Sequence, residues 1–260
     1  MERFKKPLQL AGHERPAATD AHEALPHFAE GRVEFTQTRV IDVPQATLER
    51  TRVLTSGTPP GITSAYKLLR TQVLQRLQAR SWQTLAIVSP AAGEGKTLTA
   101  INLAIALAGS RTHTALLVDL DWHWPSVHRY FDFEPMSDVY DYLLGSAPLS
   151  ETLVSPGVPR FTVLPCKQPV PEASEYLGGL GPFVKELKNR YANRIVLFDL
   201  PPLLATDDAL SFLPFVDGVL LVVEEGRTKR ADVERSLDLI GQDRLVGSVI
   251  NKSGRPQTAY

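Results

Sequence analysis

Cysteine is almost absent from the 260-residue sequence, in which Cys166 is the single one. One cysteine excludes an intrachain disulfide and a cysteine-rich zinc site, and it is typical of a protein in a reducing cytoplasm. Long apolar runs are lacking too, since no stretch approaches the roughly 20 residues that a helix needs to cross a bilayer. The basic residues near the N-terminus are not followed by an apolar segment. The sequence therefore predicts neither a membrane span nor a secretory signal.

An excess of charge of either sign is also missing. The 28 lysines and arginines balance 29 aspartates and glutamates, which leaves a formal net charge of −1. This balance gives no global electrostatic reason to expect an acidic membrane as the main partner, and we predict no nucleic-acid partner. With 43% hydrophobic and 22% charged residues, the chain is typical of a soluble globular protein. Its length suits one α/β domain with an appendage.

The most informative stretch is residues 89–97, which read SPAAGEGKT. It follows an apolar run of strand length at 84–88 and precedes a helix-forming run at 98–109. Strand, glycine loop and helix in this order are typical of a phosphate-binding loop, in which backbone N–H groups and the helix N-terminus bind phosphate. One residue departs from the full pattern, because Pro90 stands where a glycine usually opens the loop.

In such a loop we expect Lys96 to reach the β- and γ-phosphates of a nucleotide and the Thr97 hydroxyl to ligate Mg²⁺. The alternative is a simple glycine turn between a strand and a helix, which the surrounding pattern disfavours. The predicted nucleotide-binding residues of the loop are Ala92, Gly93, Glu94, Gly95, Lys96, Thr97 and Leu98.

Short runs that are apolar throughout alternate with helix-forming segments along the chain. Such runs are typical of buried parallel strands. The alternation predicts the α/β fold of a P-loop NTPase, with a doubly wound, mostly parallel sheet, helices on both faces and ligands at the carboxyl ends of the strands. Besides 84–88, the predicted strands are 115–121, 194–202, 218–224 and 245–251. The predicted helices are 98–109, 137–144, 173–191, 207–213, 229–241 and one that runs to about residue 80 from a cap at Thr63 or Ser64.

The composition changes along the chain and predicts three parts. Residues 1–60 are expected to be a largely disordered N-terminal extension and linker, because prolines interrupt the first 38 residues and turn residues fill 55–61. Within this part, 39–54 is more structured in composition and is expected to pack on the domain edge. Residues 61–252 form the predicted P-loop domain, and 253–260 a flexible C-terminal tail.

Acidic side chains stand at the ends of two predicted strands. Asp119 and Asp121 are two residues apart, so they are expected to point the same way, and Asp199 follows an apolar run. Asp199 suits a carboxylate that orients a metal-bound water, and the other two could reach both the metal and an attacking hydroxyl. Phosphoryl transfer needs these parts, namely a metal that bridges the phosphates and an acceptor for the proton of the nucleophile. Singly, each acid is equally consistent with a turn or a helix cap.

These motifs, in this order, resemble those of the bacterial tyrosine kinases of capsule and exopolysaccharide synthesis, in the form that lacks its own membrane domain. The resemblance covers roughly 65–252. The phosphate loop is similar to the family's Pro/Ala-x-Gly-Glu-Gly-Lys-Ser/Thr. Residues 116–121 are similar to the second motif of the family, an apolar run followed by Asp-x-Asp. Residues 196–202 are similar to the third motif, an apolar run followed by Asp-x-Pro-Pro. Residues 125–128 resemble the segment that follows the second motif.

The resemblance implies an ATP- and Mg²⁺-dependent kinase that phosphorylates tyrosine on a partner or on itself and regulates polysaccharide export. Lys96, Asp119, Asp121 and Asp199 would be catalytic, with Thr97, Asp119 and Asp199 near the metal. It further implies that Asn251 contacts adenine and that Tyr260, in the tail, is a possible phosphoacceptor.

The resemblance also implies partners. The activator would be the cytoplasmic segment of a membrane polysaccharide chain-length regulator, which would recruit a cytoplasmic kinase to the inner face of the membrane. Family members form homo-oligomeric rings through a Glu-x-x-Arg-x-x-Arg helix. The aligned residues here are Ser64, Lys67 and Arg70, of which only the last matches fully.

Two further departures from the family keep alternatives open. His123 stands where the second motif continues with arginine, and the tail carries one tyrosine rather than a cluster. One alternative is a switch ATPase without phosphotransfer, like the cell-division-site and chromosome-partitioning ATPases. Those carry a second lysine in the loop, at the position that Ala91 occupies here, so the kinase is favoured. The other alternative is a catalytically degenerate nucleotide-binding regulator of the same pathway.

Overall fold

The computed structural model describes residues 38–110, 112–170, 177–190 and 193–254. Within these residues eight strands form one sheet, in the order β1-β4-β5-β3-β6-β2-β7-β8. Neighbouring strands are parallel except β4 and β5, which are antiparallel. The strands are β1 Arg39–Val40, β2 Thr84–Val88, β3 Thr114–Asp119, β4 Val154–Ser155, β5 Phe161–Leu164, β6 Arg194–Asp199, β7 Gly218–Glu224 and β8 Leu245–Asn251.

The helices that connect these strands cover both faces of the sheet. Each face carries its own apolar cluster, because successive residues of a buried strand point to opposite sides. Helices α2 and α3 pack on one face, and α7, α8 and α9 on the other. This arrangement confirms the predicted doubly wound α/β fold. The described helices are α1 Gln45–Arg50, α2 Pro60–Ala79, α3 Lys96–Ala108, α4 Val127–Tyr130, α5 Val139–Leu143, α6 Leu149–Thr152, α7 Leu177–Asn189, α8 Asp208–Phe212 and α9 Arg230–Ile240.

The start of α2 corrects the sequence prediction. The helix begins at Pro60, not after a cap at Thr63 or Ser64. Proline suits the first helical turn, because its φ is already helical and its missing N–H would have no partner there. Ser64 and Lys67 lie on the exposed side of this helix. Among the described residues no helix is both long and apolar enough to span a bilayer.

Residues 38–54 pack on the edge of the domain, as their composition predicts. Strand β1 pairs in parallel with β4 at the end of the sheet. Val53 is 1% exposed, and the side chain of Asn102 on α3 bonds to Arg52 O at 3.0 Å and to Leu54 N at 2.8 Å. Part of the predicted N-terminal extension is therefore tied to the core. Residues 1–37 lie outside the described part, and the division into three parts stays a prediction.

Candidate active site

The loop between β2 and α3 has the backbone conformation of an anion-binding loop. Gly93 and Gly95 have φ values of +81° and +93°, which side chains other than glycine rarely adopt. A Cβ on Gly95 would lie 2.0 Å from Nδ2 of Asn251, so the position has no room for one. Loop N–H groups and the N-terminus of the 13-residue helix α3 together suit bound phosphate. Ala92 is exposed on the loop, and Leu98 lies in the first turn of α3.

Lys96 lies among acidic side chains from two neighbouring strands. Its Nζ is 2.6 Å from Asp121 Oδ2 and 3.5 Å from Asp199 Oδ1. The Thr97 hydroxyl donates to Asp199 Oδ2 at 2.6 Å. All four residues are buried. The sheet order explains the cluster, because β6 lies between β2 and β3 and parallel strands bring their carboxyl ends to one edge.

Asp119 makes different hydrogen bonds from Asp121, although the period of a strand predicts that the two side chains point the same way. The chain leaves β3 at Asp119, so the alternation of the strand does not extend to the second acid. The Asp119 carboxylate accepts hydrogen bonds from the amides of Asp121 at 3.2 Å and of Ser126 and Val127 at 3.0 Å. It thereby fixes the loop after β3 and the start of α4. Its assignment to Mg²⁺ stays a prediction.

Burial and mutual repulsion shift the titration of these groups. Burial raises the pKa of Asp119 to about 8, helped by the negative charge of Asp199 and opposed by the Val127 amide. Burial likewise raises the pKa of Asp199, against the attraction of Lys96. Burial alone would lower the pKa of Lys96, but the nearby Asp199 and Asp121 outweigh it and raise that pKa. The lysine is therefore held in its charged form.

The donor set fits a Mg²⁺-nucleotide. Lys96 supplies one positive charge to the two carboxylates that it contacts, so negative charge is left over for a divalent cation. Asp199 Oδ1 is buried, and among the described residues it is paired with Lys96 Nζ at 3.5 Å without a well-aligned hydrogen bond. Mg²⁺ is commonly bound by one or two carboxylates with water and substrate phosphates completing its shell. Accordingly, the described residues contain no preformed cage of three or more His, Cys, Asp or Glu side chains.

Residues from the ends of β7 and β8 hold the phosphate loop from the other side. The buried Glu94 carboxylate accepts from the Ala91 amide at 3.1 Å and from the Thr228 hydroxyl at 2.6 Å. Asn251 donates to Glu94 O at 2.9 Å, and Lys252 donates to Gly93 O at 2.8 Å. Sequence reasoning missed Thr228 and Lys252, which carry no motif. The Asn251 amide braces the loop, and its predicted contact with adenine stays a prediction.

The remaining predicted residues lie around this centre. His123 Nε2 is 2.7 Å from Asp208 Oδ2 at the start of α8. Arg70 donates to Ala106 O at 3.5 Å on the neighbouring helix α3. Tyr260 lies outside the described residues. A glycine loop between a strand and a helix, a buried lysine at the start of that helix and acids on the adjoining strands together define a P-loop NTPase.

Comparison with known proteins narrows this class. No family model matches the chain. Its homologues are bacterial tyrosine-protein kinases. The tyrosine-protein kinase YwqD of Bacillus subtilis is 28% identical over 190 residues, which cover 72% of this chain and 79% of YwqD. The tyrosine-protein kinase wzc of Salmonella typhi is 26% identical over 218 residues, which cover 82% of this chain but 30% of wzc.

Solved structures agree on the fold. The kinase domain of the Escherichia coli tyrosine kinase ETK matches with a TM-score of 0.69 and 24% identity, over 85% of this chain and 92% of that one. The cell division ATPase MinD of Pyrococcus furiosus matches with a TM-score of 0.56 and 24% identity, over 67% of this chain and 74% of MinD. A kinase domain and a cell division ATPase therefore share this architecture.

Proposed function

We propose that the protein is an ATP-dependent protein tyrosine kinase that phosphorylates itself or a partner and regulates the polymerisation and export of exopolysaccharide. The observation that carries the proposal is the buried group of Lys96, Asp121, Asp199 and Thr97 beside the glycine loop. Tyrosine-protein kinases among the homologues support the reaction class. The alternatives are a switch ATPase and a catalytically degenerate regulator.

ATP and Mg²⁺ are the proposed ligands of this site. The amides of 92–98 and the Lys96 ammonium would bind the phosphates, and Thr97 and Asp199 would hold the metal, with Asp119 as a further candidate. When bound, Mg²⁺ supplies positive charge that offsets the charge developing on the phosphate oxygens. The hydrogen bond from Thr97 to Asp199 orients both side chains before any ligand arrives.

Asp121 is the proposed acceptor of the proton from the tyrosine hydroxyl. Its Oδ1 accepts from the Trp124 amide at 3.1 Å, which fixes the carboxylate, and its Oδ2 contacts Lys96. On binding nucleotide, Lys96 would exchange Oδ2 for phosphate oxygens. Oδ2 would then be free to take the proton as the hydroxyl attacks. Because Lys96 pairs with Asp121 before nucleotide binds, nucleotide binding would also make the Asp121 carboxylate available as a base.

Two partners are proposed. The chain spans 30% of wzc, so that relative carries further segments beyond the part that matches this chain. We propose the cytoplasmic segment of a membrane polysaccharide chain-length regulator as the activator, which would recruit the kinase to the inner face of the membrane. The exposed side of α2, with Ser64, Lys67 and the 49% and 53% exposed Ile62 and Leu68, is the proposed contact between copies of the chain.

Phosphotyrosine formation by the purified chain with Mg-ATP, with and without the activator segment, tests the kinase. We expect Lys96→Met to lower it about 100-fold or more, because the variant loses the cation that holds the transferring phosphate. Lys185→Met, at an exposed lysine on α7, is the matched control and should react like the parent. Loss of phosphotyrosine in Tyr260→Phe would identify the tail as the acceptor.

The other outcomes separate the alternatives. ATP hydrolysis without phosphotyrosine would favour the switch ATPase, and nucleotide binding without either reaction would favour the degenerate regulator. Lys96→Met that still forms phosphotyrosine at the parent's rate would contradict the assignment of the loop. Circular dichroism of each variant distinguishes lost chemistry from lost structure.

A further inference from the structure

Two tryptophans follow β3 and have opposite environments. Trp122 is 4% exposed and lies in the apolar cluster, and its carbonyl accepts from the Val170 amide at 2.9 Å. Trp124, two residues on, is 60% exposed. A large apolar side chain stabilises a fold when it is buried. Because Trp124 is mostly exposed, it contributes little stability in this way. Its indole is therefore free to contact something outside the chain.

Trp124 stands beside the reacting centre. Its amide donates to Asp121 Oδ1 at 3.1 Å, and Oδ2 of the same carboxylate is 2.6 Å from Lys96 Nζ. The indole thus belongs to a residue whose backbone is bonded directly to the proposed proton acceptor. Exposed aromatic residues are common singly on protein surfaces, but the backbone of this one is bonded to the proposed proton acceptor.

The neighbouring residue limits where the indole can lie. His123 Nε2 is 2.7 Å from Asp208 Oδ2, so the loop after β3 is tied to the start of α8. The rings of His123 and Trp124 are 5.5 Å apart between centroids and inclined by 44°. Asp121 holds Trp124 by its amide, and His123 packs against its ring. A contact surface held in this way loses little conformational entropy when a ligand binds.

The sheet order indicates which reactant meets the indole. The phosphate loop leaves β2, and the sequence β3-β6-β2-β7-β8 puts β3 and β8 on opposite sides of it. Asn251, the residue that the resemblance to the kinases assigns to adenine, ends β8. Trp124 follows β3 and lies on the other side, with Asp121. With adenine at Asn251, as the resemblance implies, the phosphate loop would lie between the nucleotide base and Trp124.

We propose that Trp124 is a specificity-determining residue. Its indole packs against the aromatic ring of the acceptor tyrosine while the hydroxyl of that tyrosine reaches Asp121. This inference rests on the proposed kinase function and adds the means by which the acceptor is recognised. Aromatic rings attract one another in tilted or offset pairs with centroids about 4.5–7 Å apart. The indole selects a planar phenol over the smaller hydroxyl side chains of serine and threonine.

Steady-state kinetics of the full chain with a synthetic peptide that contains one tyrosine test the contact. Trp124→Ala should raise the KM for the peptide about two- to tenfold, with the KM for ATP unchanged, because an aromatic pair contributes about that much to binding. Trp124→Phe should restore most of the peptide KM, since it keeps an aromatic ring. Met136→Ala is the matched control, because Met136 is another exposed apolar residue, at 78%; it should leave both KM values at the parent's level.

A second measurement does not depend on catalysis. In the Lys96→Met variant, the fluorescence anisotropy of a labelled peptide that contains one tyrosine gives the dissociation constant of the peptide. Adding Trp124→Ala should raise that dissociation constant about two- to tenfold, and Trp124→Phe should restore most of the affinity. With alanine in place of the tyrosine of the peptide, Trp124→Ala should leave the dissociation constant unchanged.

An ATP KM that rises in Trp124→Ala while the peptide KM stays constant would overturn the inference and assign the indole to the nucleotide. Unchanged KM values for both substrates, or equal affinity for the tyrosine peptide in Lys96→Met with and without Trp124→Ala, would overturn it as well. In those cases the parent still forms phosphotyrosine, so the kinase proposal stands. If the parent forms none, the kinase proposal itself fails and this inference falls with it.

Discussion

Asp119 and Asp121 are two residues apart, yet they contribute to the site in different ways. Asp121 contacts Lys96 through Oδ2, whereas Asp119 accepts only backbone amides among its described hydrogen bonds. Asp121 thus faces the lysine that phosphate would engage, and Asp119 shapes the loop that carries Asp121. Since Asp119 is fully buried, its charge remains costly in the absence of a cation.

The raised pKa of Asp119 predicts how stability changes with pH in the absence of nucleotide and metal. An aspartate in the unfolded chain titrates near pH 4, whereas the folded pKa of Asp119 is about 8. Between these values the folded chain keeps a proton that the unfolded chain has lost. The contribution of Asp119 to the free energy of unfolding should therefore fall as the pH rises through this window, by up to about 1.4 kcal/mol per pH unit. Urea unfolding at several pH values in EDTA measures the slope.

Asp119→Asn should remove the contribution of Asp119 to that slope, up to about 1.4 kcal/mol per pH unit, because asparagine does not titrate. Some slope should persist in the variant, since burial also raises the pKa of Asp199. Asp42→Asn, at an exposed aspartate, is the control and should keep the parent's slope. Identical slopes in Asp119→Asn and the parent would show that Asp119 is ionised in the folded chain throughout the window.

At the scale of elements, the turns after β7 and β8 act as a support for the phosphate loop. Thr228 bonds to the Glu94 side chain, Asn251 to the Glu94 carbonyl and Lys252 to the Gly93 carbonyl. Lys252 and Arg227 also contact the Glu224 carboxylate at 2.9 and 3.2 Å. The loop is thus braced before phosphate arrives, which lowers the entropy that binding must overcome.

Thr228→Val should loosen this support. The variant keeps the shape of the side chain but removes the donor to the buried Glu94 carboxylate, at a cost of about 1–3 kcal/mol for the unsatisfied acceptor. Part of that cost should appear as weaker binding of Mg-ADP, by several-fold, because the loop must be reordered. Isothermal titration calorimetry measures this change. Thr228→Ser retains the hydroxyl and should bind like the parent, and equal affinity in the valine variant would contradict a role for the brace.

The central strands could be predicted because β2, β3, β6 and β7 are short apolar runs that lie in the middle of the sheet. The local sequence of 154–164 does not predict strands, because Pro156, Gly157 and Pro159 interrupt its apolar residues. They form the connection between the antiparallel β4 and β5. In these two strands the pairing partners, rather than a local pattern, determine the conformation.

The same limit applies to the site. Lys96, Thr97, Asp121 and Asp199 could be predicted to meet, because each stands at the carboxyl end of a predicted strand or in the loop that follows one. Thr228 and Glu94 are 134 residues apart and Lys252 and Gly93 are 159 apart. No motif marks Thr228 or Lys252, so their contacts follow only from how the sheet brings β7 and β8 beside the loop.

At the scale of the whole molecule, the N-terminal side of the P-loop domain is built from residues that precede α2. Val53 enters the same apolar cluster as α2 and α3. The Thr51 hydroxyl donates to Tyr130 O at 2.9 Å, which links the end of α1 to α4. A domain that began at residue 61 would therefore expose part of its core and leave the buried Asn102 without its backbone partners at Arg52 and Leu54.

Two truncated forms, one that starts at residue 38 and one that starts at residue 61, test this boundary. The shorter form should have a free energy of unfolding lower by about 2 kcal/mol or more, from the lost burial of Val53 and the unsatisfied Asn102. Urea unfolding measures the difference. Asn102→Ala should cost about 1–3 kcal/mol in the longer form and much less in the shorter one, since only the longer form supplies the partners at 52 and 54. Equal free energies of unfolding for the two forms would support a domain that starts at residue 61. If Asn102→Ala destabilised both forms equally, the lost stability would come from contacts of Asn102 within 61–252.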